Sequence, residues 1–228
     1  MKATGVASGM KLVLFGEPGA GKGTLAEMLS HRRGVAHIST GDLFRREMKL
    51  GTSLGKSVEK FMNAGYLVPD PIVLDVVSEL FKSKDFAKGF ALDGFPRTVP
   101  QARAFDALLR EMSWELEGII KIDVQREELV KRLSSRRTCK ECGAIYNIYS
   151  YPPREDGRCR KCGGEVYQRE DDKEEVVRER LRVYEEQIAA VIDHYRRKGA
   201  LKTIDTTGLT ADESYAELMK ALGQKVIK

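Results

Sequence analysis

Apolar residues in this chain gather in short runs, and between the runs they recur at every third or fourth position. The runs fall at 11–15 (KLVLF), 36–38 (AHI), 89–92 (GFAL), 118–124 (GIIKIDV) and 201–205 (LKTID). Runs this short and unbroken predict buried strands, while the wider spacing between them predicts amphipathic helices. One helix follows the first strand, with Leu25, Met28 and Leu29 on its stripe. A long one runs from DDKEE to about Arg197; Val177, Leu181, Tyr184, Ile188, Val191 and Tyr195 step along it as a core stripe. The last begins at Thr210, which forms a capping box with Glu213, and buries Tyr215, Leu218, Met219 and Leu222. Alternating strand and helix predicts an α/β fold, a five-stranded parallel sheet with helices on both faces.

Two stretches break the alternation. In 39–68, Leu54, Val58, Phe61 and Met62 share a helical face and Gly65 stops the helix. The region 137–168 holds all the cysteines and several aromatics, and reads as a small β element unable to bury a core of its own. Both read as insertions over the strand ends. Parallel sheets bind ligands beyond the carboxyl ends of their strands. GEPGAGKGT (16–24), STGD (39–42), DGFPR (93–97) and DTTG (205–208) all follow strand ends, so they should converge on one crevice.

The first of these motifs carries the most chemistry. Its glycines permit positive φ and close approach, its N–H groups can form a nest for an anion, and the helix that follows adds its dipole. Strand, glycine loop, lysine and helix form a phosphate-binding P-loop. The general pattern has Ser or Thr directly after the lysine, whereas here Gly23 separates Lys22 from Thr24. The motif is therefore either a P-loop variant or a plain glycine-rich turn, and its flanks favour the variant.

Composition narrows the picture. The 228 residues are 42% hydrophobic and 32% charged, enough for one α/β domain with insertions or two small domains. Against 34 Asp and Glu stand 39 Lys and Arg, a net charge of +5 that suits an anionic ligand without demanding nucleic acid. No apolar stretch is long enough to span a bilayer, and MKATGVASGM lacks a signal-peptide core. The expectation is a cytoplasmic protein without a membrane partner, with residues 1–9 as an N-terminal extension. Cys139, Cys142, Cys159 and Cys162 read C-x2-C-x16-C-x2-C, a zinc signature favoured over disulfides in a reducing compartment. Four thiolates close the coordination sphere, so the metal is structural and not catalytic.

Arg45, Arg97, Arg132, Arg136, Arg169 and Arg180 occupy positions a strand-end crevice would use. As a set they suggest more phosphate than one nucleotide carries. His31, His37 and His194 sit in no motif, and no nucleophile–base constellation is visible. A phosphate oxygen acting as nucleophile is already anionic, so catalysis reduces to alignment and charge stabilisation. Lys22 and the arginines supply that, with Mg²⁺ bridging donor phosphates and Asp93 and Asp42 ordering its water shell.

GEPGAGKGT, STGDLFR, AGYLVPD, LDGFPRTVPQA, RLSSRR, CGAIYN, YQREDD and VVRERL together resemble the adenylate kinase family, in its long form with a zinc-bearing lid, in order and in spacing. The resemblance covers Met10 to the C-terminus and accounts for the glycine before Thr24. It implies a P-loop NTPase fold with a core of 10–38, 69–136 and 173–228, an AMP-binding flap at 39–68 and a lid at 137–172. It implies an enzyme acting on ATP, AMP and ADP in the reaction ATP + AMP ⇌ 2 ADP; with nothing in the sequence to suggest an obligate interface, a monomer is the expectation. On the donor side it implies that Gly19, Ala20, Gly21, Lys22, Gly23 and Thr24 cradle the phosphates. Arg132, Arg136, Ile145 and Tyr146 would close on ATP from the lid, and Gly208 would touch adenine through its backbone. Thr40, Arg45, the Tyr66, Leu67 and Val68 backbone, Gly94, Phe95, Pro96, Arg97 and Gln101 would bind AMP. Arg169 and Arg180 would span the two phosphates.

The nearest rival is a kinase for UMP or CMP, but Thr40 and Gln101 match the AMP type. A guanine-preferring donor site stays open. A zinc-ribbon NTPase acting on nucleic acid is disfavoured because Glu141, Glu155, Asp156 and Glu165 offset the basic residues around the cysteines. An inert scaffold is disfavoured because every charged position the family uses is filled.

Overall fold

The computed structural model describes residues 9–83, 86 and 88–227, so nearly all of the expected N-terminal extension lies outside the described residues. Five strands, β1 (Met10–Phe15), β2 (Ala36–Ser39), β3 (Gly89–Asp93), β4 (Gly118–Asp123) and β8 (Leu201–Asp205), form one sheet. Their order is β2-β3-β1-β4-β8 and every pairing is parallel, as the alternating pattern predicts. The chain leaves β1 to build one side of the sheet and later crosses to build the other, so β1 marks the switch point where such sheets bind ligands.

The side chains of β1 divide the molecule into two layers, because successive residues on a strand face opposite ways. Leu12 and Leu14 point to α1 (Lys22–Arg33), α6 (Arg126–Ser134) and α8 (Ala211–Leu222). Val13 and Phe15 point to α4 (Asp70–Ser83), α5 (Val99–Glu111) and the C-terminal half of α7 (Glu174–Arg197). The long α7 serves both layers. Val177 and Leu181 join the first core; Ile188, Val191, Ile192 and Tyr195 join the second. The expected stripe is therefore correct except at Tyr184, which is half-buried and borders the ligand cleft. Around Phe81, the rings of Phe86, Phe90, Phe105 and Trp114 pack with centroids 5.0–5.9 Å away. Phe81→Ala should cost about 3–5 kcal/mol, since the neighbouring rings cannot collapse into the space left. Urea unfolding followed through Trp114, the single tryptophan, measures this.

The two irregular regions build separate projections. Helices α2 (Thr40–Leu50) and α3 (Ser53–Ala64) stand beyond β2; Gly65 caps α3 at φ 76°, the left-handed stop its position predicts. A small antiparallel sheet, β6-β5-β7, is made of β5 (Arg136–Cys139), β6 (Ile145–Asn147) and β7 (Val166–Tyr167). Its buried centre is only Cys139, Tyr146 and Cys159.

Candidate active site

The loop after β1 turns back on itself before α1. Gly16, Gly19 and Gly21 hold φ of 154°, 87° and 91°. A Cβ on Gly19 would sit 2.9 Å from the Leu133 side chain, so only glycine lets α6 pack this close. Unlike α2, α3, α5 and α8, whose first turns are capped by Ser39, Thr52, Thr98 and Thr210, α1 begins at Gly21 with no side-chain cap. Its leading N–H groups are thus left for an anion. The Lys22 ammonium donates to the Gly16 and Glu17 carbonyls at 2.8 and 3.0 Å and lies 3.9 Å from Asp93. Burial lowers its pKa to about 8; Asp93 opposes the shift, and Arg97, Arg180 and Arg136 add to it.

Strand β3 ends beside the loop. Thr40 Oγ1 and Arg97 Nε both donate to the Gly94 carbonyl, at 3.0 and 2.9 Å. Gln101 is fully oriented: its carbonyl accepts from the Arg97 N–H at 2.8 Å and its amide donates to Asp70 at 2.7 Å. Asp70 also accepts from the Thr98 hydroxyl at 2.7 Å, so it anchors the DGFPR turn to α4. Phe95 is buried; Tyr66 is exposed at the end of the flap.

Acids manage the arginines, and the sequence reading left two of them, Asp171 and Asp172, without a role. Arg180 donates to the Asp171 carbonyl at 2.7 Å and pairs with its carboxylate at 3.0 Å. Arg136 donates through Nε to fully buried Asp172 at 2.8 Å. Arg45 lies 2.6 Å from Asp42 and 3.8 Å from Asp171, and Arg169 lies 3.9 Å from Asp42. Burial would raise the Asp42 carboxyl, but Arg45 and Arg169 draw it down to about 2. Arg169 and Arg180 are lowered to about 10, by burial first and by neighbouring arginines as well. The cluster keeps more positive charge than its acids satisfy, which is an affinity for anions. Asp42–Arg169 and Arg45–Asp171 also join the two projections, as does Lys49 donating to the Lys140 carbonyl at 2.7 Å.

Lys22, Asp93, Thr40, Gln101, Arg45, Arg97, Arg136, Arg169 and Arg180 line one cleft of about 1270 Å³, larger than a single ligand pocket of roughly 300–1,000 Å³. It reaches from Gly19–Thr24 on one side, through Asp93, to Thr40, Tyr66–Val68, Gly94–Arg97 and Gln101 on the other. At its far end Arg132 and Gly208 come together through Glu128, which pairs with Arg132 and accepts the Gly208 N–H at 3.0 Å. Ile145 and Tyr146 border the cleft from the small sheet. Tyr146 has a second commitment: its hydroxyl lies 3.1 Å from Cys159 Sγ, and its ring stacks on Tyr151.

The four cysteine sulfurs lie within 4.8 Å of one another. Cys139–Cys162 and Cys142–Cys159 are 3.5 and 3.6 Å apart, far beyond a disulfide bond of about 2.05 Å. A tetrahedral ion with sulfur at about 2.3 Å places its ligands roughly 3.8 Å apart, so the set fits one metal. Two glycine turns shape it, Gly143 N–H to Cys139 O and Gly163 N–H to Cys159 O, at 3.1 and 2.9 Å.

Gly65 closes the wall of the cleft. Its φ is 76°, and a Cβ there would approach Arg180 Cγ to 2.7 Å. Gly65→Ala should displace Arg180 and cut turnover by on the order of a hundredfold, with the fold retained. Steady-state kinetics beside a circular dichroism melt test this.

Fold and cleft together define a P-loop phosphotransferase. Residues 14–200 match the family model for adenylate kinase. Curated adenylate kinases are similar over most of their length. That of Carboxydothermus hydrogenoformans is 51% identical over 93% of this chain and 99% of its own. That of Archaeoglobus fulgidus is 50% identical over 87% and 91%, and that of Thermodesulfovibrio yellowstonii 49% over 95% and 100%. The chain belongs to the adenylate kinase family, whose members are nucleoside monophosphate kinases.

Proposed function

We propose that this enzyme transfers the terminal phosphoryl group of ATP to AMP, giving two ADP. The observation that carries the reading is the convergence of Lys22, Arg97, Arg136, Arg169 and Arg180 within one cleft roomy enough for two nucleotides. ATP lies with its phosphates on Gly19–Thr24 and its base toward Arg132 and Gly208. AMP lies against Thr40, Arg45, Tyr66–Val68 and Gly94–Arg97, with its base read by Gln101. The attacking oxygen is a phosphate oxygen of AMP and needs no base. Lys22 follows the transferred group, and Arg97, Arg169 and Arg180 stabilise the charge that builds between the two substrates. Mg²⁺ arrives with ATP and neutralises donor charge, and Asp93 and Asp42 hold its waters.

Residues 39–68 act as the AMP flap and 137–172 as the lid; their closure keeps water from accepting the phosphoryl group. Cys139, Cys142, Cys159 and Cys162 hold a structural Zn²⁺ that stabilises the lid fold. The enzyme works as a cytoplasmic monomer with neither nucleic acid nor membrane as partner; no described helix is long and apolar enough to cross a membrane.

The test is an acceptor panel. With ATP and Mg²⁺, AMP should be phosphorylated far faster than CMP, UMP or GMP. Preference for a pyrimidine would overturn the reading of Thr40 and Gln101. ATP loss independent of any acceptor would overturn the kinase reading.

A further inference from the structure

The turn after β8 has an unusual hydrogen-bond inventory. Five consecutive N–H groups are all occupied. Thr206 donates to Asp123 O at 2.9 Å and Leu209 to Thr206 O at 3.2 Å. Thr207 donates to the Asp205 carboxylate at 2.9 Å and Thr210 to the Glu213 carboxylate at 2.8 Å. Gly208 donates to Glu128 Oε2 at 3.0 Å. Among the described residues, the carbonyls of Thr207, Gly208 and Leu209 accept no hydrogen bond. Gly208, Leu209 and Thr210 line the donor end of the cleft. The turn therefore meets a ligand there with acceptors alone.

Three of the five N–H groups are held from within the turn or by the strand and helix it joins, and that of Thr206 by a backbone carbonyl at the end of β4. Only that of Gly208 depends on a side chain from another element, Glu128 on α6, which itself borders the cleft. We infer that Glu128 sets the donor's purine preference by occupying the Gly208 N–H, leaving an acceptor-only rim that accepts a 6-amino purine and rejects a 6-oxo purine. The inference rests on the reading that a purine nucleoside triphosphate binds at this end. Adenine carries an exocyclic amine at C6, which donates to such a rim. Guanine carries an oxygen there, which meets carbonyl oxygens with no proton between them. Freeing the Gly208 N–H would give that oxygen a donor. The second Glu128 oxygen pairs with Arg132 and tethers the carboxylate in place. Glu128 is thus a positioning residue, acting on the base through the backbone of Gly208.

The test compares ATP and GTP as donors to AMP, taking kcat/KM for each and, where GTP turnover is too slow, the inhibition constant of GTP against ATP. Glu128→Ala should reduce the ATP:GTP preference roughly tenfold, the worth of one exposed hydrogen-bonding group, with the KM for AMP unchanged. Glu128→Gln keeps a carbonyl that can accept the Gly208 N–H and should retain the preference, while shifting the KM for both donors together. If Glu128→Ala melts early, Glu128→Leu removes the acceptor while filling the volume. A preference within about twofold of wild type in the variants lacking an acceptor would overturn the inference. So would Glu128→Gln losing as much as Glu128→Ala, which would move the effect to the charge on Arg132. If the wild-type chain makes no ADP from ATP and AMP, the proposed function fails first, an outcome distinct from either.

Discussion

Replacing Lys22 by methionine should lower turnover by about a thousandfold while leaving the protein as stable as before or more so. The two halves of this expectation come from one fact. The ammonium is largely enclosed by the cleft, where its hydrogen bonds run to the Gly16 and Glu17 carbonyls and its nearest acid, Asp93, is 3.9 Å away. Burial lowers its pKa from 10.5 to about 8, which means the charged form costs free energy in the folded protein. Methionine keeps the stem and removes that cost. A transferring phosphoryl group is a stronger partner for the ammonium than two neutral carbonyls, and stabilising the charge on it is where Lys22 has its largest effect. The sign of the pH dependence follows. Between about pH 8 and 10.5 the folded protein holds fewer protons on Lys22 than the unfolded chain, so stability should rise with pH across that window and lose this slope in Lys22→Met. Over the same window the wild-type cleft should bind ATP progressively more weakly, as the ammonium neutralises. Calorimetric titration and thermal melts between pH 7 and 10 measure both. Near-normal turnover in the variant would remove Lys22 from the reaction.

What could be read from the chain beforehand divides along a physical line. The strands, the long helix, the stop at Gly65 and the capping box at Thr210 are written in residues adjacent in sequence, and each lies where its pattern predicts. The basic half of the site was legible too, because lysine and arginine at strand ends have a limited range of purposes. The acidic half was legible only at Asp93 and Asp42. Asp171 and Asp172 stand in the YQREDD motif, yet Asp172 meets Arg136, which is 36 residues away, and Asp70 meets Gln101 across 31. Which arginine an aspartate faces is settled by packing, and nothing local encodes it. Glu128 is the instructive exception. Its spacing from Arg132 predicts a helical ion pair, but its bond to Gly208 spans 80 residues and becomes visible only when α6 and the turn after β8 stand together. Tyr184 misleads for a related reason. A tyrosine on an apolar stripe reads as core, and here it packs partly on the core and partly borders the cleft.

The second large effect should come from removing the metal proposed for the four cysteines of the lid. The small sheet has strands of four, three and two residues, and its buried centre is two cysteines and Tyr146. So little apolar surface cannot offset the entropy of ordering a segment this long. On the proposed reading, metal–thiolate bonds supply the difference, as they do in isolated zinc-binding peptides, where they are worth on the order of 10 kcal/mol. Cys159 is the most consequential ligand, because Tyr146 rests its hydroxyl on that sulfur and the Lys161 N–H also points to it at 3.3 Å. Cys159→Ala, or chelation of the wild type, should therefore melt the lid in a separate, lower transition while the parallel-sheet core melts close to its usual temperature. Calorimetry resolves the two transitions, and metal analysis should show the ion gone. At temperatures between them the core still binds nucleotide, but Arg169 loses the Thr138 hydroxyl that holds it at 2.8 Å, and water enters. Phosphoryl transfer should then fall steeply while the ratio of ATP hydrolysis to transfer rises; on cooling below the lower transition, part of the transfer activity should return. A single transition unchanged by metal loss would mean the lid is held by its own packing. A folded, metal-loaded Cys159 variant with no activity at any temperature would place the metal in the chemistry instead of the scaffold.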